Sequence, residues 1–326
     1  MKDVALKMLE RAKALLESGE VARVVAWKKG DFCYDPSPAV FESVEELEKD
    51  FTHDWFCGAN LSKYLINVAK QEGKTAVFLK PCDTYSFNQL VKEHRIKREN
   101  VYVIAVECLG KLSIEAIKAK GISLIESVEV NGKEVKVTSA YGVDTLAKPE
   151  VVLTKCDTCE KTHQVKDEEI ILHERPERDV NRFAEVEKLE NMTADERFAF
   201  WREQLSKCIR CNACRNVCPA CSCVKCVFDN PASGISAKAN DSEFEENMFH
   251  LIRAFHVAGR CTDCGECTRV CPQNIPLHLL NRKFIKDIDG LYGEYQAGET
   301  AEGKTPLTSY TEGDTEPNDV FNGEAK

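Results

Sequence analysis

Apolar positions Val4, Leu6, Leu9, Ala12 and Leu16 stand among charged residues near helical spacing, which predicts a helix over 4–17. Residues 21–27 read as a strand. Ser43 with Glu46 forms a capping box that opens a short helix, and Asn60 caps another through about residue 71. Short runs of strand formers follow at 75–79, 101–106 and 151–154, with helices over 87–95 and 114–120 between them. Segments 123–130 and 133–139 flank Asn131-Gly132, a two-residue hairpin signal. Short apolar strands alternating with helices predict βαβ units and a mostly parallel sheet, an α/β domain over 1–180. Residues 160–192 read as a charged connector with one further strand at 169–173. Thr193 with Glu196 is a second capping box, and its helix runs to about 206. Residues 296–326 are rich in Gly, Glu, Thr, Asp and Pro, the pattern of an acidic tail that is disordered or binds a partner.

Charge and composition narrow the class. The chain has 326 residues and a formal net charge of −10, which argues against a general nucleic-acid binder. No apolar run is long enough to span a membrane. The N-terminal segment lacks the apolar core of a signal peptide, so a cytoplasmic location is expected. Cytosolic thiols stay reduced, so 17 cysteines there point to metal or redox chemistry rather than disulfides. Eleven of them lie between 208 and 271, and this shift marks a second domain over 181–295.

Within that domain, Cys208, Cys211, Cys214 and Cys218-Pro219 spell C-x2-C-x2-C-x3-C-P, and Cys261, Cys264, Cys267 and Cys271-Pro272 repeat it. This is the spacing of two-cluster bacterial ferredoxins, in which the fourth cysteine of each run ligates the other cluster. One 4Fe–4S cluster is therefore expected on Cys208, Cys211, Cys214 and Cys271, and another on Cys218, Cys261, Cys264 and Cys267. The expected fold is a bacterial-ferredoxin-like α+β domain with a helical insert. Paired zinc sites are the competing reading, although zinc more often uses two CxxC knuckles and a long spacer. Cys214, Cys218 and Cys221 also match the C-x3-C-x2-C spacing of radical-SAM loops, but two of them already serve the ferredoxin pattern.

Cys82, Cys108 and the pair Cys156 and Cys159 each follow a strand expected in the parallel sheet. The carboxyl ends of parallel strands share one edge, where sites form, and four thiolates suit one further 4Fe–4S cluster. Buried apolar cysteines or a CxxC redox dithiol are the alternatives. Cys221, Cys223 and Cys226 exceed the ferredoxin need. With Cys57, which precedes a capped helix, they form a candidate fourth site, while Cys33 in a turn-rich stretch reads as a bystander. The histidines do not cluster. GxGxxG does not occur, nor does GxSxG or HExxH.

LKPCD (79–83), RENVYVIAVECLG (98–110) and KCDTCE (155–160) resemble the beta-subunit family of deazaflavin-coenzyme hydrogenases and dehydrogenases. The stretches 196–226 and 253–281 resemble a branch of it that carries a two-cluster ferredoxin module. The resemblance covers about residues 55–295. It implies an electron-transfer subunit of an anaerobic, cytoplasmic oxidoreductase complex, relaying single electrons through 4Fe–4S clusters. Implied partners are nickel–iron hydrogenases, formate dehydrogenases or heterodisulfide-reductase-like flavoproteins. It also implies a cluster on Cys82, Cys108, Cys156 and Cys159. Some relatives bind a flavin, so an FAD-containing catalytic subunit that exchanges hydride with a deazaflavin or NAD(P) is the alternative. A metal-stabilised scaffold without redox function is the third reading. The ferredoxin module follows the α/β domain here rather than preceding it.

Overall fold

Strands form where β-branched and aromatic residues run together, and the most continuous runs lie deepest. The structure is a computed structural model that describes residues 1–160, 168–171, 180–230, 232 and 243–309. It divides into two units, Met1–Val180 and Asn181–Lys326.

In the first unit, β1 (Arg23–Lys28), β2 (Ser37–Phe41), β3 (Phe51–Thr52), β4 (Thr75–Leu79), β5 (Val101–Val106) and β9 (Glu169–Ile171) form one sheet. β1, β4, β5 and β9 are parallel neighbours in that order, and β2 and β3 pair antiparallel with β1. Every residue of β4 is buried, as expected for a central parallel strand covered on both faces. α1 (Lys2–Glu17) lays Val4, Met8, Ala12 and Leu15 into the core. Its buried stripe thus runs through Met8 and Leu15, and Leu6 is exposed. α2 (Val44–Asp50) is capped by Ser43, whose hydroxyl accepts from the Glu46 N–H; the Glu46 carboxylate takes the N–H of Glu42 instead of closing the box. Asn60 caps a single 3-10 turn that passes into α3 (Leu65–Val68).

α4 (Pro81–Lys92) starts six residues before the expected helix. Pro81 occupies its first turn, where the missing N–H costs nothing and the fixed φ suits the helix. α5 (Ile114–Lys118) leads to a second, antiparallel sheet of β6 (Ile125–Asn131), β7 (Glu134–Ser139) and β8 (Gly142–Ala147). Gly132, at φ +60°, sits in the β6–β7 turn, and β8 adds a strand that the sequence pattern does not suggest.

The expected strand at 151–154 does not form. Val152 makes one bridge to Leu112, and Leu153 turns the chain by accepting the N–H groups of Cys156 and Asp157. α6 (Thr154–Asp157) follows directly. This short apolar run pairs with residues 111–113 rather than joining the parallel sheet.

The regular elements described in the second unit are helices: α7 (Ala184–Glu190), α8 (Ala194–Leu205), α9 (Ala213–Val217), α10 (Glu243–Val257), α11 (Glu266–Arg269) and α12 (Leu277–Tyr292), with short 3-10 turns. The Thr193–Glu196 capping box is complete. α10 packs on α8 and α12, and Leu205, Ala254, Ile275, Leu277 and Leu280 share one core with Cys214 and Cys267. Disorder does not extend across 296–309. Ala297 and Thr305 are buried, and Leu307 packs beside Gly259. The remainder of the expected tail, together with His163 and His173 in the connector, lies outside the described residues. No helix among the described residues is long and apolar enough to cross a membrane.

Candidate iron–sulfur centres

The two ferredoxin runs fold into matching loops. Arg210 and Asp263, each two residues after the first cysteine, have φ of 53° and 56°. Asn212 and Gly265, each just after the second cysteine, have φ of 60° and 66°. The left-handed region costs about 1–2 kcal/mol for a residue with a Cβ, so three non-glycine residues there mark a conformation the loops need. It turns backbone N–H groups toward the cysteines, and the Arg210 N–H lies 3.4 Å from Cys208 Sγ. Each strained loop is held by a buried ion pair. Arg210 Nε reaches both Glu246 carboxylate oxygens at 2.7 Å while the guanidinium stacks on Phe249, and Arg282 Nε meets Asp263 Oδ1 at 2.8 Å.

Cys208, Cys211, Cys214 and Cys271 line a single cavity, with Arg210 and Phe249 on its wall. Of the second set, Cys261 and Cys267 each lie within electrostatic reach of Cys218 and Cys264. The structure therefore brings the fourth cysteine of each run to the loop of the other. Burial pushes the thiols of Cys208 and Cys267 up to about 12 and Cys214 to about 11. A hydrogen bond with Cys221, then burial, raises Cys218 well above the ordinary thiol range. Without metal these thiols hold their protons at neutral pH, so ligation releases protons. Asn281 Nδ2 lies 3.7 Å from Cys267 Sγ, a contact of the kind that tunes cluster potential.

Two buried side chains of α10 escape sequence reasoning. Neither ring nitrogen of His250 has a hydrogen-bond partner, and its ring, kept neutral by burial, lies with Glu246 beside Cys208. Arg253 is likewise buried with its guanidinium unpartnered. Both sit on a helix outside either motif, and on sequence alone a charge there reads as a solvated face. Of the flanking cations, Arg215 pairs with Asp229 at 2.8 Å and bonds the Cys226 thiol, and Arg260 donates to the Ala220 carbonyl.

In the first unit, Cys82 lies in the first turn of α4 and Cys108 just beyond β5, while Cys156 lies in α6 and Cys159 two residues after it. The Cys82 thiol feels Cys159, and Cys156 feels both Cys108 and Cys159, so the four form one connected group although the third strand is absent. Burial raises Cys82 strongly and Cys156 to about 11.

Three buried lysines accompany this group. Lys80 Nζ donates to the Ala59 carbonyl at 2.6 Å and pairs with Asp83 at 2.7 Å. Lys111 Nζ donates to the Asp54 carbonyl at 2.7 Å, and Lys155 Nζ to the Gly58 carbonyl at 2.9 Å. Each motif that supplies a cysteine thus fixes an ammonium group on the segment 54–59, and Lys80 and Lys155 favour the Cys82 thiolate. Buried positive charge is costly unless compensated, and four thiolates around a metal cluster are the compensation this donor set fits.

Cys57 is buried in the main core of the first unit, where its sulfur takes the Asp54 N–H at 3.3 Å and burial raises the thiol to about 12. Cys221 packs beside Cys218 in the second unit, Cys226 bonds Arg215, and Cys223 is exposed. Cys33 is exposed as well.

Comparison with known proteins fits this geometry. Residues 204–275 match the family of 4Fe–4S dicluster domains. The chain is 25% identical to the F420-dependent formate dehydrogenase subunit beta of Methanocaldococcus jannaschii, over 86% of this chain and 88% of the relative. It is 28% identical to the F420-dependent formate dehydrogenase 1 subunit beta of Methanococcus maripaludis, over 85% and 87%. Over most of its length the chain is thus similar to beta subunits of F420-dependent formate dehydrogenases. The dicluster match lies in the C-terminal half of the chain. The F420-reducing (NiFe) hydrogenase complex of Methanosarcina barkeri matches 48% of the chain and 62% of its own at 15% identity, with a TM-score of 0.37, too slight to carry an argument.

Proposed function

We propose that the chain is the iron–sulfur beta subunit of a cytoplasmic formate dehydrogenase complex that serves a deazaflavin coenzyme. The carrying observation is the crossed placement of the ferredoxin cysteines, with Cys271 beside the first loop and Cys218 beside the second. Near-full-length similarity to two formate dehydrogenase beta subunits supports the choice of complex. Cys208, Cys211, Cys214 and Cys271 hold one cluster in this reading, and Cys218, Cys261, Cys264 and Cys267 a second. Cys82, Cys108, Cys156 and Cys159 hold a third, with Lys80, Lys111 and Lys155 balancing its charge. A 4Fe–4S cluster so held stores and passes single electrons. The residues supply thiolate ligation, exclude water and set potential through N–H···S contacts and buried cations. In the assembled complex, Cys264→Ala is expected to lose one cluster and abolish electron transfer from formate, with the first unit still folded. Full transfer in that variant contradicts the reading.

A cleft of about 760 Å³ favours a second reading. His53, Asp54 and Trp55 line it together with the start of α1 and residues 128–131, so it abuts the segment that binds the three lysines. Its volume suits a cofactor. A flavin there would make the chain the site of hydride exchange with the deazaflavin. Stoichiometric yellow chromophore released from purified protein supports this, and protein with full iron and no flavin excludes it.

A further inference from the structure

Arg253 stands on α10 with 2% of its surface exposed, and its Nε, Nη1 and Nη2 have no hydrogen-bond partner. A guanidinium keeps its charge and carries five N–H donors, so leaving it dry and unpaired is among the costliest arrangements in a protein. The carboxylate two turns earlier on the same helix, Glu246, is already taken by Arg210. The surroundings of α10 show what faces Arg253 instead. Ala254, its neighbour, packs in one core with Cys214 and Cys267. Val257, one turn on and on the same face, packs with Cys218 and Cys261. The groups that bear on the guanidinium are the sulfurs of Cys267, Cys214, Cys218 and Cys221. Cys214 belongs to the first ligand set, and Cys218 and Cys267 to the second.

We propose that Arg253 is a positioning residue shared by both clusters: its buried charge, set against sulfurs of both ligand sets, raises the reduction potential of each. The inference rests on the reading that both sets hold 4Fe–4S clusters. Reduction adds an electron to an assembly that is already negative. A fixed cation in a low-dielectric interior stabilises the reduced form over the oxidised one, and N–H···S contacts act in the same direction. A single guanidinium between the two sets ties both potentials to one residue.

The test uses the full chain, reconstituted anaerobically, with Arg253→Met, Arg253→Gln and Arg253→Lys beside the unaltered protein. Iron and acid-labile sulfide are measured first, and midpoints then come from a redox titration followed by EPR. With iron retained, both neutral variants are expected to lower the midpoints of both dicluster centres. A tenfold weaker reduction equilibrium corresponds to about 59 mV for one electron. Arg253→Lys is expected to recover part of each shift. Iron kept in the lysine variant but lost from both neutral ones reports the same need for charge at the stage of assembly. Unchanged midpoints in an iron-replete neutral variant, a shift in one centre alone, or iron lost from all three variants overturns the proposal. Absence of iron from the unaltered chain would instead fail the cluster reading on which it rests.

Discussion

At the scale of single residues, the spaced cysteines are the legible part of the candidate site and their electrostatic support is not. A thiol at fixed spacing from three others announces itself in sequence. Lys80, Lys111 and Lys155 do not, because a lysine beside a cysteine reads as a solvated charge until the chain buries it on the carbonyls of 54–59. Arg253 is hidden for the same reason. The pair Lys80–Asp83 is wholly buried, and removing one partner leaves an uncompensated charge. Asp83→Ala is therefore expected to destabilise the protein by about 3–5 kcal/mol, measured by denaturant unfolding. The ferredoxin loops give a second residue-scale expectation. Asn212 holds φ at 60°, so Asn212→Gly should retain stability and iron, whereas Asn212→Val should cost about 1–2 kcal/mol and slow cluster assembly. Equal stability of the two variants in thermal melts would contradict the strain argument.

Among elements, legibility follows the strength of the local signal. The Thr193 capping box and the all-buried run of β4 are read correctly because cap chemistry and apolar continuity agree with the final packing. α4 begins earlier than the helix expected over 87–95, because Pro81 is well placed in a first helical turn. The run 151–154 is too short to tell a strand from a bridge that enters a turn, and tertiary pairing with 111–113 decides. β8 is hidden because most of its residues are exposed and its alternation is weak. β9 is short, and the chain secures it to α1. Arg11 Nε reaches both carboxylate oxygens of Glu169 at 2.7 Å, and Tyr102 of β5 donates to the same group. The hydrogen bond from Arg11, followed by that from Tyr102, holds the Glu169 carboxyl below its usual range against the opposing effect of burial. A carboxyl depressed in the folded state contributes its stability above its unfolded value near 4.5 and loses it as pH falls through the lower folded value. Glu169→Gln should therefore lower the melting temperature at pH 7, with the difference from the unaltered chain shrinking below about pH 4. Because the pair is partly exposed, its worth is about 1 kcal/mol at most. A difference that persists undiminished at pH 3 would assign the effect to packing.

On the scale of the whole molecule, the protein comprises two units, each carrying thiols in sets of four. The second unit brings together two cysteine loops that exchange their last cysteine, and the first gathers four thiols from α4, the end of β5 and the region of α6. Cys82→Ser is expected to remove about four irons per chain and leave the dicluster EPR signals intact, and Cys33→Ser to remove none. The most direct test of the central claim is the content of iron and acid-labile sulfide per chain in anaerobically purified protein. About 12 of each are expected, or about 16 if the remaining thiols hold a fourth cluster. About 8 would contradict it: the cysteines of the first unit would then be packing residues, and the chain a dicluster ferredoxin joined to an α/β domain without a cluster.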